Sequence, residues 1–158
     1  MAKQGSKSPD RPVLISINAE PCPCPRPRVG RWGAYYPAKY SKWKASFSAE
    51  LRRVVGEESI AKFAGPIDVA LVVSATRPRT SKLAYPKPDV DNFAKSVLDA
   101  SNGILWNDDS QIVNLRIMKI WAPTKCPPSI VIYATPTETP SLLSSGTKRA
   151  RAASRKTT

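Results

Sequence analysis

The sequence predicts an α+β fold, a small mixed β-sheet of about four strands with two main helices packed on it. Three observations carry this. Apolar residues alternate over four short stretches, they recur at spacings of three and four over two others, and these stretches follow one another as β, α, β, α, β, β.

Val13, Ile15 and Ile17 alternate with Leu14 and Ser16, giving a first strand that ends at Asn18. The stretch from Glu20 to Pro37 is rich in Pro, Arg and aromatics and reads as an irregular loop or a hairpin. Tyr40, Trp43, Phe47, Leu51 and Val54 then mark one face of an amphipathic helix over Lys39 to Val55, stopping at Gly56, with Lys42, Lys44, Arg52 and Arg53 on its outer face. Ile67, Val69, Leu71 and Val73 form a second strand. Its other face is also mostly apolar, which places it inside the sheet. After a basic loop broken by prolines, Val90, Phe93, Ala94, Val97 and Leu98 mark a second helix, with Asp89 or Asp91 as N-cap and Gly103 beyond its C-terminus. Val113, Leu115 and Ile117 begin a third strand that runs to Trp121, and Ile130 to Ala134 is a fourth.

A chain of 158 residues is long enough for one ordinary core without disulfides. The domain is expected over residues 12–135, between a flexible basic N-terminus (1–11) and a disordered basic tail (136–158) too poor in apolar residues to fold. There is no histidine, so Ser-His-Asp triads, histidine-ligated metal hydrolases and histidine phosphoryl carriers are excluded as self-contained sites. Cys22, Cys24 and Cys126 lack the fourth ligand of a usual structural zinc site. No stretch can span a membrane, and the polar start lacks the apolar region of a signal peptide, so a cytoplasmic, nucleoid-associated protein without a small-molecule cofactor is expected.

The net charge of +13 points to a polyanion partner, because each cation placed on a phosphate releases counterions. About half of that charge belongs to the two ends. Within the body, five of the acids fall in one segment, Asp89, Asp91, Asp99, Asp108 and Asp109, while Arg26, Arg28, Arg31, Lys39, Lys42, Arg77, Arg79, Lys82 and Lys87 surround it in sequence and are the expected DNA contacts. Trp32, Tyr35, Tyr36 and Tyr85 are interleaved with these cations, as stacking on opened bases requires, whereas Trp43 falls on the apolar helix face.

Asp89 and Asp91 lie at a helix start, Lys95 is one turn beyond Asp91, and Asp108 and Asp109 open the next strand. If that helix and strand pack antiparallel, the turn between them is expected to return towards Asp91, so that two or three carboxylates converge. Hard divalent cations take such oxygen ligands, and Mg²⁺ activates water and neutralises a transferring phosphoryl group without histidine. Taken singly, each residue has a plainer reading: Asp89 or Asp91 as a cap, Asp108 and Asp109 as a turn, Lys95 as a solvated partner of Asp91.

The whole string resembles a known family. Pro88-Asp89-Val90-Asp91-Asn92 followed by Lys95, then Leu98-Asp99-Ala100, Asn102-Gly103, Trp106, Asp108-Asp109 and Gln111-Ile112-Val113 look like the signature of RusA-type Holliday junction resolvases, found in phages and prophages. Pro25-Arg26-Pro27-Arg28, Gly33 and Tyr36-Pro37 are similar to that family's N-terminal loop. The resemblance implies a homodimer of α+β subunits that cuts branched DNA with Mg²⁺, Mn²⁺ serving as a substitute. By matching position it implies Asp89, Asp91 and Asp109 as catalytic metal ligands, Asp108 as an adjacent acid and Lys95 as the active-site lysine. The rival expectations are a non-catalytic basic nucleic-acid-binding protein and a related nuclease that prefers flaps or forks.

Overall fold

The computed structural model describes residue 9 and residues 11–138. Strand β1 (Val13–Ile17) leads into a Pro-rich loop, then a short hairpin of β2 (Arg28–Gly30) and β3 (Gly33–Tyr35). Helix α1 (Ala38–Glu57), strand β4 (Ile67–Ala75), helix α2 (Val90–Ser101), a 3₁₀ turn (Asp109–Gln111), strand β5 (Ile112–Trp121) and strand β6 (Ser129–Pro136) follow.

The sheet order is β1-β6-β4-β5. Strand β6 is antiparallel to both β1 and β4, while β4 and β5 are parallel, as a strand–helix–strand crossover through α2 requires. In register, Ile15, Ile132, Leu71 and Ile117 form one row across the sheet, and Ile17, Ile130, Val73 and Lys119 the next. All members of these rows from β1, β6 and β4 are buried beneath the helices. Phe47 and Leu51 of α1 and Phe93 and Val97 of α2 close this core. The opposite sheet face carries Leu14, Tyr133 and Met118 exposed.

The two helices and four sheet strands agree with the sequence expectation. The differences are local. Helix α1 passes through Gly56 and ends at Glu57, with Glu58 as its C-cap, and the chain turns at Ser59 with φ 52°. Two of its surface arginines are not equivalent: Arg53 is bound to Glu50 and Glu57, each at 2.6 Å, whereas Arg52 has no acidic partner among the described residues. The Pro-rich stretch is a hairpin only from Arg28 to Tyr35, with Gly33 at φ +116° closing it. Strand β6 runs one residue past the expected domain limit, and Thr137 N donates to Pro66 O at 3.0 Å. The basic tail expected over 136–158 otherwise lies outside the described residues, as does most of the basic N-terminus.

Candidate active site

The sequence between β4 and β5 sets the site. Residues 76–89 leave the C-terminal end of β4, α2 returns along the sheet, and β5 starts again beside the beginning of β4. Asp89 and Asp91 therefore sit at one end of the sheet, and Asp108 and Asp109 at the other.

At the first end, Asp89 occupies the N-cap position of α2 with extended backbone, but its side chain makes no capping hydrogen bond. Asp91, in the first turn, is exposed, and neither carboxylate has a hydrogen-bond or ion-pair partner among the described residues. An Asp at this position ordinarily contributes about 1 kcal/mol by capping. Here both acids are left available at the positive end of the helix dipole.

Lys95 does not pair with Asp91. Its Nζ lies 3.5 Å from Asp99 Oδ2, one turn further along, and that carboxylate raises the lysine above its ordinary pKa. Asp99 is half-buried and its charge acts on the Tyr40 hydroxyl, which lies beside the Cys24 thiol. The Tyr40 hydroxyl is fully buried with no hydrogen bond of ordinary geometry, and burial pushes its pKa above the usual range. Tyr36 meets Tyr40 at a tilt, and Tyr40, Trp43 and Phe47 stack in succession, with neighbouring ring centroids 5.1 to 6.2 Å apart.

The Pro-rich loop is fastened over the same helix. Thr76 donates from its backbone and hydroxyl to the Glu20 carboxylate, Trp43 Nε1 donates to Glu20 O at 2.9 Å, and Cys24 N donates to Asn92 O at 2.9 Å. A groove of about 520 Å³ results, in which Arg26 and Lys87 flank Asp89 and Asn92. A cleft of about 560 Å³ at Pro9, residues 11–14 and 58–61 is slightly larger and has one base, Arg11, and one acid, Glu58, but no carboxylate at a helix start, so chemistry rather than size marks the site. Beneath Asp89, Lys119 of β5 donates from Nζ to Pro88 O at 2.7 Å and stands 5.5 Å from the Tyr85 ring.

At the second end, Asp108 caps the 3₁₀ turn, accepting from Ser110 N at 2.8 Å, and this hydrogen bonding holds its carboxyl below the usual range. Gln111 completes the cap. Its Oε1 accepts from Asn107 N and Asp108 N, while its Nε2 donates to Phe63 O and Gly65 O just before β4. Asp109 is half-buried and leaves the cap to Asp108.

The expected convergence does not occur within one chain. The turn at 102–111 lies at the C-terminal end of α2, and the helix's 12 residues, at about 1.5 Å each, separate it from Asp91 by roughly 18 Å. The helix is antiparallel to both strands, so the chain returns to the sheet at the end away from Asp91. No group of three or more Asp, Glu or Cys that could hold a metal exists among the described residues. Asp89 and Asp91 nonetheless fit Mg²⁺ by their chemistry, since that ion is commonly held by one or two carboxylates and completes its shell with water and phosphate.

The predicted DNA-contacting residues Arg26, Arg28, Arg31, Lys39, Lys42, Arg77, Arg79, Lys82 and Lys87 are all exposed. Arg31 and Trp32 form the hairpin tip, the guanidinium 5.6 Å from the indole, and Trp32 is 94% exposed. Trp106 is fully buried core, and Trp121 donates to Leu83 O.

The family Endodeoxyribonuclease RusA matches residues 18–132, which run from just after β1 into β6 and include both carboxylate pairs. The chain belongs to the RusA endodeoxyribonuclease family. A curated relative, the uncharacterized protein YqaN of Bacillus subtilis (strain 168), is 50% identical over 36 residues, which is 23% of this chain and 25% of that protein. Two features of this RusA-family chain are not evident from sequence spacing alone. Lys119 supports the backbone before Asp89, although its place in a strand gives it no motif. Asp99 takes Lys95 as its partner, although the 91/95 and 95/99 spacings are equal.

Proposed function

We propose that this chain is a Mg²⁺-dependent, structure-specific endodeoxyribonuclease that resolves Holliday junctions or related branched DNA by paired phosphodiester hydrolysis. It acts as a homodimer in the cytoplasm, associated with the nucleoid. The observation that carries the reading is the pair of free carboxylates, Asp89 and Asp91, at one helix start, with Asp89 sharing a groove with Arg26 and Lys87.

Asp89 and Asp91 are the residues that would hold the metal; Asp109, which the family resemblance implies as a third ligand, stands at the other end of α2 in the same chain. Mg²⁺, when bound, supplies activation of water and neutralisation of charge on the phosphodiester. Lys95, held in place by Asp99, stabilises developing negative charge on the phosphate. Arg26 and Lys87 offset the repulsion between the acids and DNA, and the exposed basic loops fix the duplex arms.

The test compares cleavage of a four-way junction, a flap and a linear duplex, each with Mg²⁺ or with chelator. Fast, paired, Mg²⁺-dependent nicking of the junction is expected. Equal rates on all three substrates overturn structure specificity, fastest cutting of the flap moves the substrate to forks and flaps, and cutting that survives chelation overturns metal dependence.

The hairpin tip gives a separate expectation. Stacking of one base on an aromatic side chain is worth about 1–3 kcal/mol. Trp32→Ala should therefore weaken junction binding by about 10-fold in a gel-shift titration, while the melting temperature stays unchanged because Trp32 packs on nothing in the core.

A further inference from the structure

We infer that Lys119 is a positioning residue of the metal site: with Trp121 it clamps residues 83–88 to strand β5, so that Asp89 presents its carboxylate to a divalent cation instead of folding it back onto its own helix. This deepens the nuclease reading above and rests on it.

Lys119 breaks the pattern of its strand. Leu115, Ile117 and Lys119 stand in register with Val69, Leu71 and Val73, the buried side of β4, and of these only Lys119 is charged. Its neighbours further across the sheet, Ile130 and Ile17, are buried and apolar as well. A half-buried ammonium in such a row costs stability unless its partners compensate, and among the described residues no acid pairs with it. Its hydrogen bond goes to a single main-chain carbonyl, Pro88 O, at 2.7 Å, with the Tyr85 ring at 5.5 Å. Departures of this kind from a local rule belong to functional positions.

The clamp has two points. Lys119 and Trp121 project from one face of β5, and Trp121 Nε1 donates to Leu83 O at 2.9 Å. Pro86 is buried between the two anchored carbonyls. Pro86 and Pro88 have no N–H to offer, and apart from Leu83 N, which meets Ser81 Oγ, residues 83–88 make no other hydrogen bond among the described residues. Side chains of β5 therefore hold this segment. The peptide bond joining Pro88 to Asp89 is planar, so fixing Pro88 O fixes the plane from which the Asp89 side chain departs. Asp89 accordingly stands at the N-cap position with φ −65° and ψ 145° and yet makes no capping bond. Lys87, which lines the groove with Asp89, is placed by the same clamp.

Lys119→Met, which keeps the stem but not the donor, and Lys119→Arg, which keeps a donor and the charge, test this in the full chain. Mn²⁺ titration followed by electron paramagnetic resonance, without DNA, should show Lys119→Met binding the ion about 10-fold more weakly, the usual result of removing a support behind a metal ligand. The Mg²⁺ concentration for half-maximal nicking should rise with it. The rate at saturating Mg²⁺ and junction binding in chelator should stay at the wild-type level, and Lys119→Arg should restore most of the loss. Wild-type Mn²⁺ affinity in Lys119→Met overturns the positioning role, as does weaker junction binding in chelator at unchanged Mn²⁺ affinity, which makes Lys119 a phosphate contact instead. Trp121→Phe, which keeps the packing and loses the bond to Leu83, should shift Mn²⁺ affinity the same way by less; should Lys119→Met fail to fold, no shift in Trp121→Phe overturns the clamp. A further measurement needs neither metal nor activity. Trypsin in chelator should cut after Lys82 about 10-fold faster in Lys119→Met, as the loss of one charge-assisted hydrogen bond implies. An unchanged cleavage rate overturns the clamp, whereas a wild-type chain that neither binds Mn²⁺ nor cuts the junction overturns the nuclease reading itself.

Discussion

Asp91→Asn is expected to reduce junction nicking at least 100-fold and to leave the fold intact. A 100-fold loss corresponds to about 2.7 kcal/mol of transition-state stabilisation, within the several kcal/mol that a metal site supplies to phosphoryl transfer. The carboxylate is exposed and makes no hydrogen bond or ion pair among the described residues, so its loss removes no contact from the native state. The change costs only the interaction with the helix dipole, about 0.3–1 kcal/mol. Single-turnover nicking rates beside thermal melts check both halves: undiminished cutting sinks the role of Asp91, and a large fall in melting temperature gives it a structural role instead.

Trp106→Ala should have the largest effect on stability, about 3–5 kcal/mol from the lost side chain and the cavity it leaves. That is a large share of a typical 5–15 kcal/mol, and a fall in melting temperature on the order of 10 °C follows. Trp106 is fully buried, its Nε1 donates to Asn102 Oδ1 at 2.8 Å, and its carbonyl accepts from Gly103 N at 2.7 Å. It forms bridges to Phe63 and to Asn102, so it joins the end of α2 to the approach to β4. The same substitution loosens the turn that carries Asp109. Trp106→Phe, which retains most of the volume but not the hydrogen bond, should show a smaller loss in the same denaturation series.

The helices and the sheet strands were legible because their apolar spacing reflects burial directly. Tyr40, Phe47 and Leu51 are the buried face of α1, and Ile67 through Val73 alternate as a strand must. The hairpin at Arg28–Tyr35 was less legible, since its two strands are three residues each and wholly exposed, leaving no buried face to impose a pattern. The carboxylates were legible as residues but not as an arrangement. Spacing identifies which acids stand at the start of α2 and which precede β5; only the parallel pairing of β4 and β5 reveals that they face opposite ends of the sheet. The partnership of Lys95 with Asp99 shows the same limit, because periodicity offers Asp91 equally and local packing decides.

The position of β6 bears on how the chain acquires its structure. It is the last strand in sequence among the described residues, yet it lies between β1 and β4 and bonds to both. Before it arrives, β1 has no neighbour in the sheet and β4 is paired on one side only. The β4–α2–β5 crossover can assemble early as a local unit, but β1 must wait for a partner more than 100 residues downstream. Closing so long a loop before any contact repays it is slow. The order of assembly is therefore from the carboxylate-bearing crossover outward, with β1 and the Pro-rich loop that follows it fastened last.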